Sequence, residues 1–175
     1  MSEANLIDLY YADECRVSLD PVIPYAWQFK GEDVWMPSSQ GSGLNCLGLI
    51  RRDSTLLFET STQNLTAEFL TERLERLSLS LNKETVIVLD NARIHTAKAI
   101  QERRAIWEER GLSLFYLPPY SPHLNLAEVL WRKLKYEWLR PQDYLCFEHL
   151  RYAVQLALAA VGSLLSISFA KPNYA

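Results

Sequence analysis

The sequence predicts an α/β fold, a mixed β-sheet with helices on both faces. Three observations carry that reading. Short apolar runs in the second half alternate with amphipathic stretches of helical period, which implies parallel strands joined by crossover helices. The N-terminal part instead holds alternating strands broken by polar turns, the pattern of an antiparallel meander. The run TVIVL, Thr85 to Leu89, is continuously apolar and rich in β-branched residues, so it suits a strand covered on both faces.

The elements follow in order. LIDLYYADECRVSL reads as a strand in which Ile7, Leu9, Tyr11 and Asp13 share one parity, with a tight turn near Glu14-Cys15 leading into a second strand. Residues 21–42, rich in Pro, Trp, Gly and Ser, read as a loop that carries Trp27 and Trp35. LNCLGLIRRDSTLLFET gives two strands joined by the turn RRDS. Leu70, Leu74, Leu77 and Leu81 recur at helical spacing, placing an amphipathic helix between Asn64 and Leu81. After the Thr85–Leu89 strand, a helix from about Thr96 to Arg110 is stopped by Gly111, and Leu112–Leu117 is the next strand. The prolines of LPPYSPHLN fix the start of a helix whose apolar stripe is Ala127, Trp131, Leu134 and Trp138; that spacing marks both tryptophans as core. A last helix spans about Asp143 to Val161, with Asp143 as its N-cap.

Bulk properties narrow the function classes. A chain of 175 residues suffices for one domain with a real core. The net charge of −3 promises no large basic face, so nucleic-acid contact must rest on local clusters: Arg51-Arg52, Arg103-Arg104 (most simply an exposed helix face) and Arg132-Lys133-Lys135. Three isolated cysteines make no metal-binding spacing and suit a reduced, cytoplasmic chain. The first residues do not form a signal peptide, and the apolar stretch Val154–Leu165 is too short to span a bilayer, so no membrane partner is expected.

Three carboxylates stand out. Asp90 closes VIVLD, and a carboxylate at the carboxyl end of a buried parallel strand lies where open α/β sheets place ligand crevices. DNAR is also good turn sequence, and position alone leaves the two readings even. Glu128 follows Asn125 by three residues, as in a capping box. It also forms, with Arg132 and Lys135 at i+4 and i+7, a stripe of one acid and two cations beside the apolar stripe. A site that holds a metal against a phosphodiester needs that mixture. Asp13 is the third candidate; its neighbour Asp8 has the opposite parity, and Glu14 points to the other face of a regular strand. Oxygen-only clusters favour Mg²⁺ or Mn²⁺, and two such ions about 3.5–4 Å apart clamp the attacking and leaving oxygens of a phosphoryl displacement. The residues thus suggest a metal-dependent phosphodiester enzyme. Asn91 either orients Asp90 or caps the turn, and His95 is as readily a hydrogen-bond partner of the turn as a catalytic group.

The run VIVLDNARIHTAKAIQ, followed by GLSLFYLPPYSPHLNLAEVLWRKLK and preceded by YYADECRVSL, resembles the DDE endonuclease domain of bacterial insertion-sequence transposases of the mariner superfamily. The resemblance covers about Leu6 to Val161. It implies a single ribonuclease H-like domain over residues 1–175, a metal-binding and catalytic triad of Asp13, Asp90 and Glu128, and two Mg²⁺ ions for which Mn²⁺ substitutes. The interval between Asp90 and Glu128, 38 residues (128 − 90), is close to that family's usual one. The resemblance raises His95 to a supporting site residue and makes sense of Lys135 as a cation facing the DNA; Arg132 and Lys135 read as DNA-backbone contacts, with a plain solvated face as the alternative. Leu126 departs from the proline usual after Asn, which touches the helix start rather than the chemistry.

What the resemblance implies is cleavage of DNA at transposon ends and strand transfer into target DNA by a freed 3′-hydroxyl. It implies a cytoplasmic, nucleoid-associated bacterial protein working as a homodimer, although no residue marks a dimer surface. The family's helix-turn-helix modules are absent from these residues, so terminal-repeat recognition is assigned to an upstream helix-turn-helix polypeptide. The same acidic cluster would also suit another ribonuclease H-like nuclease, a ribonuclease H or a resolvase. A non-enzymatic remnant that only binds DNA or a partner is the third reading.

Overall fold

The computed structural model describes residues 6–20, 30–31 and 42–169. Trp27, Trp35 and most of the expected loop lie outside them. Five strands form one sheet in the order β3-β2-β1-β4-β5. They are β1 (Asp8–Ser18), β2 (Gly43–Ile50), β3 (Leu56–Ser61), β4 (Thr85–Leu89) and β5 (Leu112–Tyr116). β1 pairs antiparallel with β2, and β2 with β3; β1–β4 and β4–β5 are parallel. This is the mixed sheet the sequence predicts.

Helices cover both faces. α1 (Ala67–Leu79) and α2 (Lys98–Glu109) lie on one side, where Leu70, Leu74, Ile100 and Trp107 pack against Tyr10, Ala12, Leu47 and Ile87. α3 (Ala127–Lys133) and α4 (Phe147–Ala160) lie on the other, where Leu130, Trp131, Val154 and Leu158 pack against Cys15, Val17, Cys46 and Ile50. β1 serves both cores with alternate side chains, so it is the central strand in packing as well as in order. Thr66 caps α1 by accepting from the amide of Phe69. Gly111, at φ +86°, follows the C-cap of α2, and its carbonyl accepts from the amide of Thr85 at the start of β4.

The structure corrects four local expectations. β1 is one strand without a turn at Glu14-Cys15, because β2 pairs with it continuously from Tyr11 to Ser18. Asp143 does not cap the last helix: it accepts from the amide of Arg140 and closes a short 3₁₀ turn, Pro141–Tyr144, ahead of α4. The helix after Asn125 is not regular throughout, since α3 passes into a π-helical turn, Leu134–Trp138, closed by the Leu139 amide on the Leu134 carbonyl. The expected Asn125–Glu128 capping box is also absent, as the geometry around Glu128 makes clear below.

Candidate active site

The sheet opens at one point. β1 pairs with β4 only as far as Tyr11 opposite Val88, then runs on to Ser18 beside β2 alone. From β1 the chain leads to β2 on one side; from β4 it leads through α2 to β5 on the other. The carboxyl ends of these two parallel neighbours therefore diverge, which is where open α/β sheets form a ligand crevice. Extending the parallel register by two residues sets Asp13 level with Asp90.

Asp13 shares the face of Tyr11, Cys15 and Val17, toward α3, as its parity predicts. Its antiparallel partner is Gly48. A Cβ at Gly48 would lie 2.8 Å from Cη2 and 2.9 Å from Cζ2 of Trp131, so only glycine lets that ring come down onto the sheet beside Asp13. Trp131 is one helical turn past Glu128, and this contact sets how closely α3 approaches the crevice.

Asp90 leaves the end of β4 held on one side. Its Oδ1 accepts from the Ala92 amide at 2.9 Å and from Nδ1 of His95 at 2.6 Å. The other ring nitrogen of His95, Nε2, donates to Oε1 of Glu14 at 2.8 Å. His95 is completely buried, and its carbonyl accepts from the Tyr116 hydroxyl at 2.8 Å. Asn91 donates to the Leu117 carbonyl at 2.6 Å, so it ties the ends of β4 and β5 together, and among the described residues it makes no hydrogen bond to the Asp90 carboxylate. Among the described residues Oδ2 of Asp90 has no hydrogen-bond partner.

Burial and the neighbouring charges move two ionisations here. Burial, then the negative charge of Glu14, lifts the Asp13 carboxyl from 3.8 to about 7; Asp90 adds to the rise, while the Glu14 amide and His95 oppose it. Burial alone would depress His95, but the hydrogen bond and charge of Glu14, then Asp90, outweigh it and raise the imidazole to about 9. At neutral pH His95 is an imidazolium donating from both nitrogens, flanked by two carboxylates. The crevice is rich in negative charge and has one buried cation, held back from its mouth.

Glu128 reaches this region from α3. Asn125, 3% exposed, donates to the Ala12 carbonyl at 3.0 Å and accepts from the Ala127 amide at 3.1 Å. It thus anchors the start of α3 one residue before Asp13. The Glu128 carboxylate does not return to the Asn125 amide, so no capping box forms; it is exposed and makes no hydrogen bond or ion pair among the described residues. Glu128, Arg132 and Lys135 line one groove of about 520 Å³ with His123, Asn125 and Trp131. Arg132 is exposed and has no partner among the described residues, and Lys135 reaches back to the buried thiol of Cys15, two residues beyond Asp13.

Of the predicted site residues, Asp90 is close enough to Asp13 for its charge to add to the rise there, and Glu128 stands on the neighbouring rim. Among the described residues no three His, Cys, Asp or Glu side chains converge on one point as a closed metal cage. Asp8 lies far along β1, bound by Arg51 at 3.1 Å and Lys83 at 3.3 Å, which removes it as a substitute for Asp13. Glu14 faces away from Asp13, as its parity predicts, and the structure gives it His95 as a partner there, a contact between positions 81 residues apart that no local pattern signals.

The described donors nonetheless suit a hard divalent cation. They are carboxylate oxygens only; among the described residues one oxygen of Asp13, one of Asp90 and both of Glu128 have no hydrogen-bond partner.

Comparison with known proteins agrees with the fold. No curated protein matches the chain. Among solved structures, the mariner Mos1 paired-end complex with Mg matches at TM-score 0.64 and 17% identity, covering 87% of this chain and 48% of that one. The Mos1 strand transfer complex matches at TM-score 0.53 and 15% identity, covering 94% and 59%. A simian T-cell lymphotropic virus intasome, in complex with the PP2A regulatory subunit B56 gamma, matches at 0.61 and 13%, covering 91% and 50%. These likenesses establish the ribonuclease H-like fold of transposase and integrase catalytic domains, and this chain spans about half the length of each neighbour. The family model described as DDE superfamily endonuclease matches residues 8–151. That match, across most of the sequence and all three candidate carboxylates, places the chain in the DDE endonuclease superfamily.

Proposed function

We propose that this chain is the catalytic domain of a cut-and-paste DNA transposase of the bacterial insertion-sequence type, which cleaves DNA at transposon ends and joins them to target DNA. The observation that carries the reading is the placement of Asp13 and Asp90 at the diverging ends of β1 and β4, near enough for the charge of Asp90 to add to the rise at Asp13, with a groove lined by Glu128, Arg132 and Lys135 alongside. Asp13, Asp90 and Glu128 would hold the divalent cations, Mg²⁺ with Mn²⁺ as substitute. When bound, two such ions activate the attacking oxygen and stabilise the leaving 3′ oxygen of an in-line displacement.

The chain's own residues do the rest. Asn125 and the Gly48–Trp131 contact hold α3 where Glu128 can turn toward the aspartates. Arg132 and Lys135 take the phosphates of the strand lying in the groove, which fixes its register without reading its sequence. Recognition of the terminal repeats falls to a helix-turn-helix unit outside these residues, and pairing of two ends to a homodimer.

The test is a substrate panel in Mn²⁺: a duplex bearing a transposon end and a 3′-hydroxyl acceptor, an RNA–DNA hybrid and a four-way junction. Nicking and joining of the duplex, lost in Asp90→Asn with the fold intact, is the expected result. Cleavage confined to the hybrid or the junction would reassign the domain to a ribonuclease H or a resolvase. Inertness of the wild type on all three, with no Mn²⁺ binding, would mark a silent remnant.

A further inference from the structure

We propose that Glu14 is a positioning residue for the metal site: it holds the buried ring of His95, and through that ring Oδ1 of Asp90, so that Oδ2 of Asp90 is the atom left for a divalent cation. The proposal rests on the reading of Asp90 as a metal ligand, and it assigns a role to a fourth carboxylate outside the triad.

The geometry is a strut with three joints. Glu14 stands on β1, on the face opposite Asp13, and receives Nε2 of His95 at 2.8 Å. The same ring gives Nδ1 to Oδ1 of Asp90 at 2.6 Å, and the Ala92 amide adds a second bond to that oxygen at 2.9 Å. The backbone of His95 is fixed independently: its amide donates to the Ala92 carbonyl at 2.9 Å and its carbonyl accepts from Tyr116. With the ring fully buried and both nitrogens engaged, the imidazole cannot turn without breaking a charged hydrogen bond. One oxygen of Asp90 is therefore committed to the protein while the other has no partner among the described residues.

A ligand carboxylate usually needs such support. Outer partners orient the donor atom, and their removal commonly costs 10–100-fold in metal affinity or activity. Glu14 and Asp90 come from different strands, so the strut also ties the end of β4 to β1, across the opening where the two stop pairing. The Asp13-Glu14 pair thereby has two jobs on two faces: Asp13 toward the metal, Glu14 toward the group that aims the second ligand.

The test is Mn²⁺ titration by calorimetry on the folded wild type, Glu14→Ala, Glu14→Gln, Glu14→Asp and Asp90→Asn, with kcat and KM for nicking beside it. Glu14→Ala is expected to weaken Mn²⁺ binding about tenfold or more and to lower kcat, with KM for DNA unchanged. Glu14→Gln, whose amide oxygen can accept the same bond, should recover most of both. Should Glu14→Ala not fold, Glu14→Asp carries the test, because its shorter arm keeps the charge but misses Nε2 and should still weaken Mn²⁺ binding severalfold. Wild-type Mn²⁺ affinity in folded Glu14→Ala or Glu14→Asp, with binding lost in Asp90→Asn, would overturn the proposal and leave the metal site standing. Undiminished binding in Asp90→Asn would instead remove Asp90 as a ligand, and the proposal with it.

Discussion

Replacing Asp13 with Asn should make the metal-free protein more stable, and increasingly so as the pH rises. The Asp13 carboxyl is raised from 3.8 to about 7 by burial and by the charges of Glu14 and Asp90. At ~1.4 kcal/mol per tenfold change in an ionisation constant, that rise corresponds to an upper limit of roughly 4 kcal/mol. The sign follows from linkage: a carboxyl raised in the folded state contributes its full stability below 3.8 and loses it as the pH climbs through about 7. Asparagine has no charge to bury. Relaxation and water will absorb part of the limit, so a gain of about 2–4 kcal/mol at pH 8, shrinking toward zero near pH 4, is the expected difference. The assay is urea unfolding in EDTA at several pH values, followed by tryptophan fluorescence. Adding Mn²⁺ should reverse the order, because a ligand that binds only the folded wild type stabilises it by mass action. Unfolding curves for wild type and Asp13→Asn that keep a constant separation from pH 4.5 to 8 would refute the reasoning.

Other expectations follow from the same geometry. Gly48→Ala drives a methyl group into the Trp131 ring and should cost about 1–3 kcal/mol in urea unfolding, with a larger loss of nicking because α3 carries Glu128. Asn125→Ala leaves the Ala12 carbonyl and the Ala127 amide without partners and should destabilise by about 2 kcal/mol in the same assay. The His95 ring should stay doubly protonated through pH 8 by nitrogen NMR; its contribution to stability is full below 6.5 and is lost as the pH rises through about 9, so titration near 6.5 in the folded protein would contradict the charged bridge. Arg132→Ala and Lys135→Ala should each weaken binding to all DNA sequences alike and lower the slope of log affinity against log salt by about one, as read by fluorescence anisotropy.

The features that the sequence exposed are those governed by local periodicity. TVIVL suits a strand covered on both faces, and it forms β4 over the same five residues. Asp13 took the face its parity with Tyr11 requires. Where tertiary contacts decide, the local patterns misled. Asn125 and Glu128 have capping-box spacing, but Asn125 turns to the Ala12 carbonyl, a partner more than a hundred residues away in sequence. Asp143 is well placed to cap a helix, yet Pro141 lets a 3₁₀ turn form first and takes up its carboxylate. The π-helical turn after α3 has no periodic signature, since the apolar stripe continues through it. Glu14 was legible as a residue on the wrong face for the triad, but its bond to His95 joins positions 81 residues apart and depends on how α2 leaves β4.

The proposed chemistry requires divalent cations to be held by Asp13, Asp90 and Glu128 at the parting of β1 and β4. A crystal of the protein grown or soaked in Mn²⁺, with anomalous diffraction recorded near the manganese edge, tests this most directly. The expected result is anomalous density contacting Asp13, Oδ2 of Asp90 and a Glu128 side chain turned inward. Manganese bound elsewhere, or a fully soaked crystal in which those three carboxylates contact none, would contradict it.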